Sequence, residues 1–180
     1  MLTLGETKFQ RGANIGCGVV ALVLVGLFFL TLFTHNQNRN GDDKIAKLEA
    51  GATSFVAHDK MECGVTDDGL ERLAREHPEL EDLDIIQSQF ITDKGLKHIG
   101  RLKNLRHLSM QGMVAITNAG IAELTDLPVL KELLIQSDNI DDGAVPYLRR
   151  FKTLRRLDVS GTKISKEGMA ELHGDSSIKR

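Results

Sequence analysis

The sequence contains no tryptophan, a single tyrosine and only two cysteines. Proteins that grip single-stranded nucleic acid stack its bases on aromatic rings, so nucleic acid is not an expected partner. Cys17 stands at the edge of a long apolar run and Cys63 lies far outside it, which makes an intramolecular disulfide an unsuitable pairing and leaves the redox compartment open. No N-x-[ST] acceptor occurs anywhere, so glycosylation gives no clue to sidedness. HExxH, CxxC and GxSxG are all missing, and with them the common signatures of zinc proteases, thiol redox sites and serine hydrolases. No enzymatic activity, cofactor or metal is expected. A formal net charge of -2 removes any overall pull toward polyanions.

What is present begins with an apolar run. Ile15 to Phe33, "IGCGVVALVLVGLFFLTLF", is nineteen residues without a charge. As a helix it would be roughly 28 Å long, close to the roughly 30 Å of a bilayer's hydrocarbon core. A cleavable signal peptide has a shorter apolar region and a small-x-small cleavage site, whereas this run ends in "TLFTHNQNRN". The reading is an uncleaved single-pass anchor. Basic residues flank both sides almost equally (Lys8 and Arg11 before; Arg39, Lys44 and Lys47 after), so the positive-inside rule is nearly tied. The short leading tail points to a carboxyl-terminal domain on the exoplasmic or periplasmic side.

The resulting division is an amino-terminal tail over 1–14, a transmembrane helix over 15–33 and a polar tether over 34–44. An amino-terminal cap or degenerate repeat follows over 45–64, then repeats over 65–172 and a tail over 173–180. The repeats show in Val65, Ile91, Ile116, Ile140 and Ile164, spaced 26, 25, 24 and 24. A fixed period in the twenties is the signature of a solenoid. After each anchor comes a residue suited to an N-cap (Thr66, Thr92, Thr117, Asp141, Ser165), and four positions after it a small one (Gly69, Gly95, Gly120, Ala144, Gly168). The small column predicts helices pressed close to the layer beneath. Each helix leads to a strand motif: "LEDLDI" from Leu80, "LRHLSM" from Leu105, "LKELLI" from Leu130 and "LRRLDV" from Leu154. Within it Leu157 and Val159 should point inward, and Arg156, Asp158 and Ser160 outward.

The pattern L-x-x-L-x-L followed by I-[TS]-D-x-G-[LI] resembles leucine-rich repeats. Its "ITDxGL" variant is similar to F-box-type repeats, here without the F-box, and to membrane-anchored bacterial, planctomycete-like repeat proteins. The resemblance implies an α/β solenoid, with parallel strands on the concave side and short helices on the convex side. The asparagine usual in such repeats is replaced by Ser88, Met113, Asp138 and Thr162, and the first two full units carry one extra residue, before Ile91 and Ile116. Local looseness is expected there.

Alternation along the strands makes the outward column the expected binding surface: Ile86; His107, Ser109, Gln111; Glu132, Leu134, Gln136; Arg156 and Asp158. Ile86 and Leu134 are apolar where solvent is expected, and Glu132 and Arg156 should pair on adjacent strands. From Asp59 to Asp84 there are ten acidic and three basic residues, and from Arg149 to Lys166 seven basic and one acidic. Such polarity would steer a charged partner or favour self-association of two copies. The function expected is a membrane-tethered module for protein–protein interaction, its partner a protein of unknown identity. The alternatives are a structural accessory subunit of a membrane complex, or an enzyme or metal protein built on "HDKMEC", where His58, Asp59, Glu62 and Cys63 crowd together.

Overall fold

A computed structural model describes residues 39–57 and 64–173. Helices and strands alternate along the chain: α1 (Arg39–Ala46), β1 (Ser54–Ala57), α2 (Asp67–Glu76), β2 (Asp82–Ile86), α3 (Asp93–Ile99), β3 (His107–Gln111), α4 (Asn118–Glu123) and β4 (Glu132–Ile135). A 3-10 turn at Asp142–Ala144 then leads into α5 (Val145–Leu148), followed by β5 (Arg156–Asp158) and α6 (Lys166–His173). The five strands form one parallel sheet in the order β1-β2-β3-β4-β5. Parallel neighbours need a crossover between them, and each helix is that crossover.

The strands meet in register, Leu83 beside Leu108, Leu108 beside Leu133, and Leu133 beside Leu157. These columns have almost no exposed surface, and neither do Leu80, Leu105, Leu130 and Leu154 before them. The inner helical positions Leu70, Leu96, Ile121 and Val145 close the core from the other side, with Leu73, Ile99, Leu124 and Leu148 one turn on. Burying a side chain of this size contributes about 1.5–3 kcal/mol. A single unit would leave two of its faces wet, so stacking supplies the stability.

The amino-terminal unit belongs to the same stack. Phe55 pairs with Leu83 and Ala57 with Ile85, while Ile45 is buried against the core. Helix α1 starts at Arg39, inside the stretch 34–44 expected as a tether. Its Gly41 is buried, and a Cβ there would collide with the Val65 backbone and side chain. The expected transmembrane helix over 15–33 and the His58/Asp59/Glu62/Cys63 cluster lie outside the described residues. Among the described residues no helix is long and apolar enough to cross a membrane.

The small column has a different cause from the one expected. Each predicted N-cap accepts from its own helix: Thr66 from the Gly69 N–H, Thr92 from Lys94, Thr117 from Ala119, Asp141 from Gly143 and Ser165 from Gly168. An acidic residue from the helix of the preceding unit then reaches sideways to that cap. Asp67 accepts from the Thr92 N–H at 2.9 Å and its hydroxyl at 2.7 Å, and Asp93 accepts from the same groups of Thr117 at 2.8 and 2.6 Å. Asp42 does this for Thr66, and Asp142 accepts from the Ser165 N–H at 2.7 Å. Burial pushes the Asp42 carboxyl up, against the two Thr66 hydrogen bonds. These carboxylates occupy the space in which a Cβ at Gly69, Gly95, Gly120 or Gly168 would lie. The glycines make room for a neighbour's side chain more than for a backbone.

The fourth rung is built differently. Asn118 replaces the aspartate and donates to Asp141 Oδ1 at 2.6 Å while accepting from the Asp141 N–H at 3.2 Å. With a carboxylate as cap, a second carboxylate opposite would repel it, and the amide removes the conflict. This is also the unit where alanine, Ala144, stands in the small column.

The usual asparagine column also needs a correction. Ser88 is buried and donates to the Val65 carbonyl at 2.6 Å. Met113 fills its place with hydrocarbon and is 1% exposed. In the third unit Ser137, and not the exposed Asp138, turns inward and donates to the Ile116 carbonyl at 3.3 Å. Where the first two units carry an extra residue the core stays closed, and the exposed apolar side chains are Phe90 and Val114.

Candidate functional site

The outward side chains of the sheet form a grid whose rows follow from the register. The lowest row runs Ser54, Asp82, His107, Glu132 and Arg156. The middle row runs Val56, Asp84, Ser109, Leu134 and Asp158. Above it Ile86 stands beside Gln111, and the Gln136 N–H extends β4 by donating to the Met110 carbonyl. Every expected binding residue therefore lies on one face.

Along the lowest row the carboxylates of Asp82 and Glu132 stand beside His107 and Arg156. His107 Nε2 is 3.8 Å from Asp82 Oδ1, and His107 Nδ1 is 3.5 Å from Glu132 Oε2. The expected Glu132–Arg156 pair forms at 3.9 Å. All four side chains are at least one-third exposed, so each contact contributes only about 0–1 kcal/mol in water.

Ile86 and Leu134 are half-buried by their neighbours, so they offer less apolar surface than their sequence positions suggest. The most exposed large apolar residues are Val114 at 58%, Val56 at 50% and Phe90 at 43%. Val56 extends the middle row onto β1, one strand further than the sequence pattern reached. Phe90 and Val114 lie in the loops that follow β2 and β3. Their signal in the sequence was the extra residue in those two units.

Two features shape the upper rim. Gln87 follows β2 with φ 59, and Gly112 and Gly161 follow β3 and β5 with φ 68 and 76. A side chain at Gly112 would meet Gln87, and one at Gly161 would meet Gln136, so each glutamine lies over the glycine of the next unit. On the β4–β5 side, Asp158 accepts from the Ser160 hydroxyl and from its N–H at 2.9 Å. Those bonds hold the Asp158 carboxyl below the usual carboxylate range, and the face keeps a negative charge there.

Chemically the face offers complementary charge, amide hydrogen bonding and a few apolar contacts. Among the described residues no group of three or more His, Cys, Asp or Glu side chains is placed to hold a metal ion. His98 is 5% exposed and neither of its ring nitrogens has a hydrogen-bond partner, but it stands on α3, away from the grid.

A solved internalin from Listeria monocytogenes is similar at 19% identity and a TM-score of 0.47, over 62% of this chain and 31% of that one. Comparison with curated proteins finds no match. A family model described as Leucine Rich repeat matches residues 152–172, the stretch that contains β5 and most of α6 and so one full turn of the repeat that the rest of the sheet continues.

Proposed function

We propose that the chain is a membrane-tethered leucine-rich repeat module that binds a protein partner through the outward face of its sheet, and that it is not an enzyme. The observation that carries this reading is the in-register grid. The thirteen side chains of the grid, on a fixed parallel backbone, lose little conformational freedom on binding. His107, Glu132 and Leu134 lie on the inner strands β3 and β4, where water is more readily excluded and binding energy concentrates, and Arg156 meets Glu132 from the edge strand. The helical side instead repeats capping and packing residues between solvated charges such as Lys97 and Glu123.

The tether follows from the apolar run at 15–33. Only residues 34–38 separate it from α1, and five extended residues span at most about 18 Å. The solenoid therefore works close to a membrane surface, on the exoplasmic or periplasmic side. Capture from a mild-detergent extract of the native membranes would identify the partner. Replacing Leu134 and Arg156 together by alanine should then weaken that partner by more than about tenfold and leave the melting temperature unchanged. Reversing the charges of Lys97 and Glu123 should leave binding intact. Loss with the helical changes and not with the strand changes would place the partner on the convex side and overturn the assignment.

A further inference from the structure

The sheet has two ends, and they differ. At the carboxyl-terminal end β5 pairs with β4 alone among the described strands, so among the described residues the backbone donors and acceptors of its outer edge have no strand partner. Beside that edge lies an open cleft of about 810 Å³, lined by Leu157, Val159, Ile164, Lys166 and Met169 among others. Leu157 and Val159 are 8% and 7% exposed, where the matching residues of β2 and β3 are at 0–1%. The surroundings are basic: Arg150, Lys152, Arg155, Arg156, Lys163 and Lys166 are all exposed. Of the acids nearby, Asp158 is bonded to Ser160 and Glu171 to Arg149, and Glu167 stands on the exposed side of α6.

We propose that this open end is a second docking site, one that takes an extended acidic segment of a partner protein as a sixth strand. Strand addition uses the free backbone edge for affinity and alternate side-chain pockets for specificity. Apolar residues at every second position of the segment would cover Leu157, Val159 and Met169. The carboxylates between them would meet Arg156 and Lys166, and the surplus of basic groups around the cleft favours that sign.

The rungs between units decide against a second copy of the chain as the occupant. Every earlier rung presents an aspartate or asparagine to the cap of the next unit: Asp42 from within α1, and Asp67, Asp93, Asn118 and Asp142 from the first helical position. At the sixth that position is Lys166, which cannot accept from a cap. The amino-terminal unit that a stacked copy would bring has Gly41, inside α1, where the later units have their cap, and Lys44 and Lys47 beside Asp43 and Glu49, so it has neither a capping hydroxyl nor an acidic face to offer. A segment of different sequence fits where a seventh unit of this kind does not.

The test is fluorescence anisotropy with the full chain in detergent micelles. The probes are two labelled eight-residue peptides, one alternating glutamate with valine and one alternating lysine with valine. The acidic peptide should bind at least about tenfold more tightly than the basic one. Lys166→Glu combined with Met169→Glu should remove at least about tenfold of that affinity; a glutamate at the first helical position is favourable to the helix, so Lys166→Glu alone controls for folding. His107→Ala combined with Leu134→Ala should leave peptide binding within about twofold, which separates this end from the face of the sheet. Equal binding of the two peptides, no binding of the acidic one, or loss only with the His107/Leu134 pair would overturn the proposal.

Discussion

At the residue scale, the three letters Thr-Asp-x-Gly perform two jobs at once. Threonine caps its own helix and donates to the unit before it, aspartate accepts from the unit after it, and glycine leaves room for the aspartate that arrives from behind. The capping half of this was legible in the sequence, because a helix start needs an acceptor locally. The sideways half was not, because it depends on how two units are placed. Helix propensity alone makes Gly95→Ala stabilising by about 1 kcal/mol. Here the added Cβ meets Asp67, and Gly95→Ala should instead destabilise the protein by about 1–3 kcal/mol. In an Asp67→Ala background the same change should become neutral or stabilising. A double-mutant cycle by thermal or denaturant unfolding measures this coupling. Additive effects would show that Asp67 is not what the glycine accommodates.

At the scale of elements, one strand, one helix and their links make up a unit, and the links vary most. Ser88 ties the end of β2 to the Val65 carbonyl of the unit before it, and Asn104 and Lys103 tie the lower loops to neighbouring carbonyls. Met113 makes no such tie and contributes packing alone. Ser88→Ala should therefore cost about 1–3 kcal/mol, since it strands a buried carbonyl. Hydrogen exchange should show the loss concentrated at the β2–α3 loop and the start of α2. A uniform effect across the sheet, or none, would mean that water replaces the hydroxyl. The sequence pattern placed five of the helix starts and four strands correctly because each depends on its own periodicity. It misplaced the inward residue of the third unit, choosing Asp138 over Ser137, because a shortened loop shifts which side chain turns inward. The fifth helix, α5, opens as a 3-10 turn, where Pro146 has no N–H to offer to an α-helical first turn.

At the scale of the whole molecule, the stack is directional. Acidic residues gather in the second unit and basic ones in the last two, and the grid between them carries both signs. If 15–33 is the anchor and the acidic units lie nearest to it, the basic end projects away from the membrane toward partners. The full chain should remain in the pellet after alkaline carbonate extraction, and a chain starting at Arg39 should appear in the supernatant with a cooperative thermal transition. Recovery of the full chain in the supernatant would remove the anchor from the reading and leave the solenoid unaffected.

Period, inside–outside alternation and the position of each helix cap followed from the sequence by itself, because each is set by neighbours a few residues away. The outward face was legible for the same reason: a strand's pleat assigns alternate side chains to opposite sides whatever the strand pairs with. The sequence offered a cap or a degenerate repeat over 45–64, and the tertiary structure added that β1 pairs in register with β2, with Phe55 beside Leu83 and Ile45 buried against the core. The Glu132–Arg156 pair was expected from the aligned repeats, and the structure added the contacts of His107 with Asp82 and Glu132 along the same row. The open edge at β5 is of the same kind. Whether a strand has a neighbour is a property of the sheet, and no pattern within the strand records it.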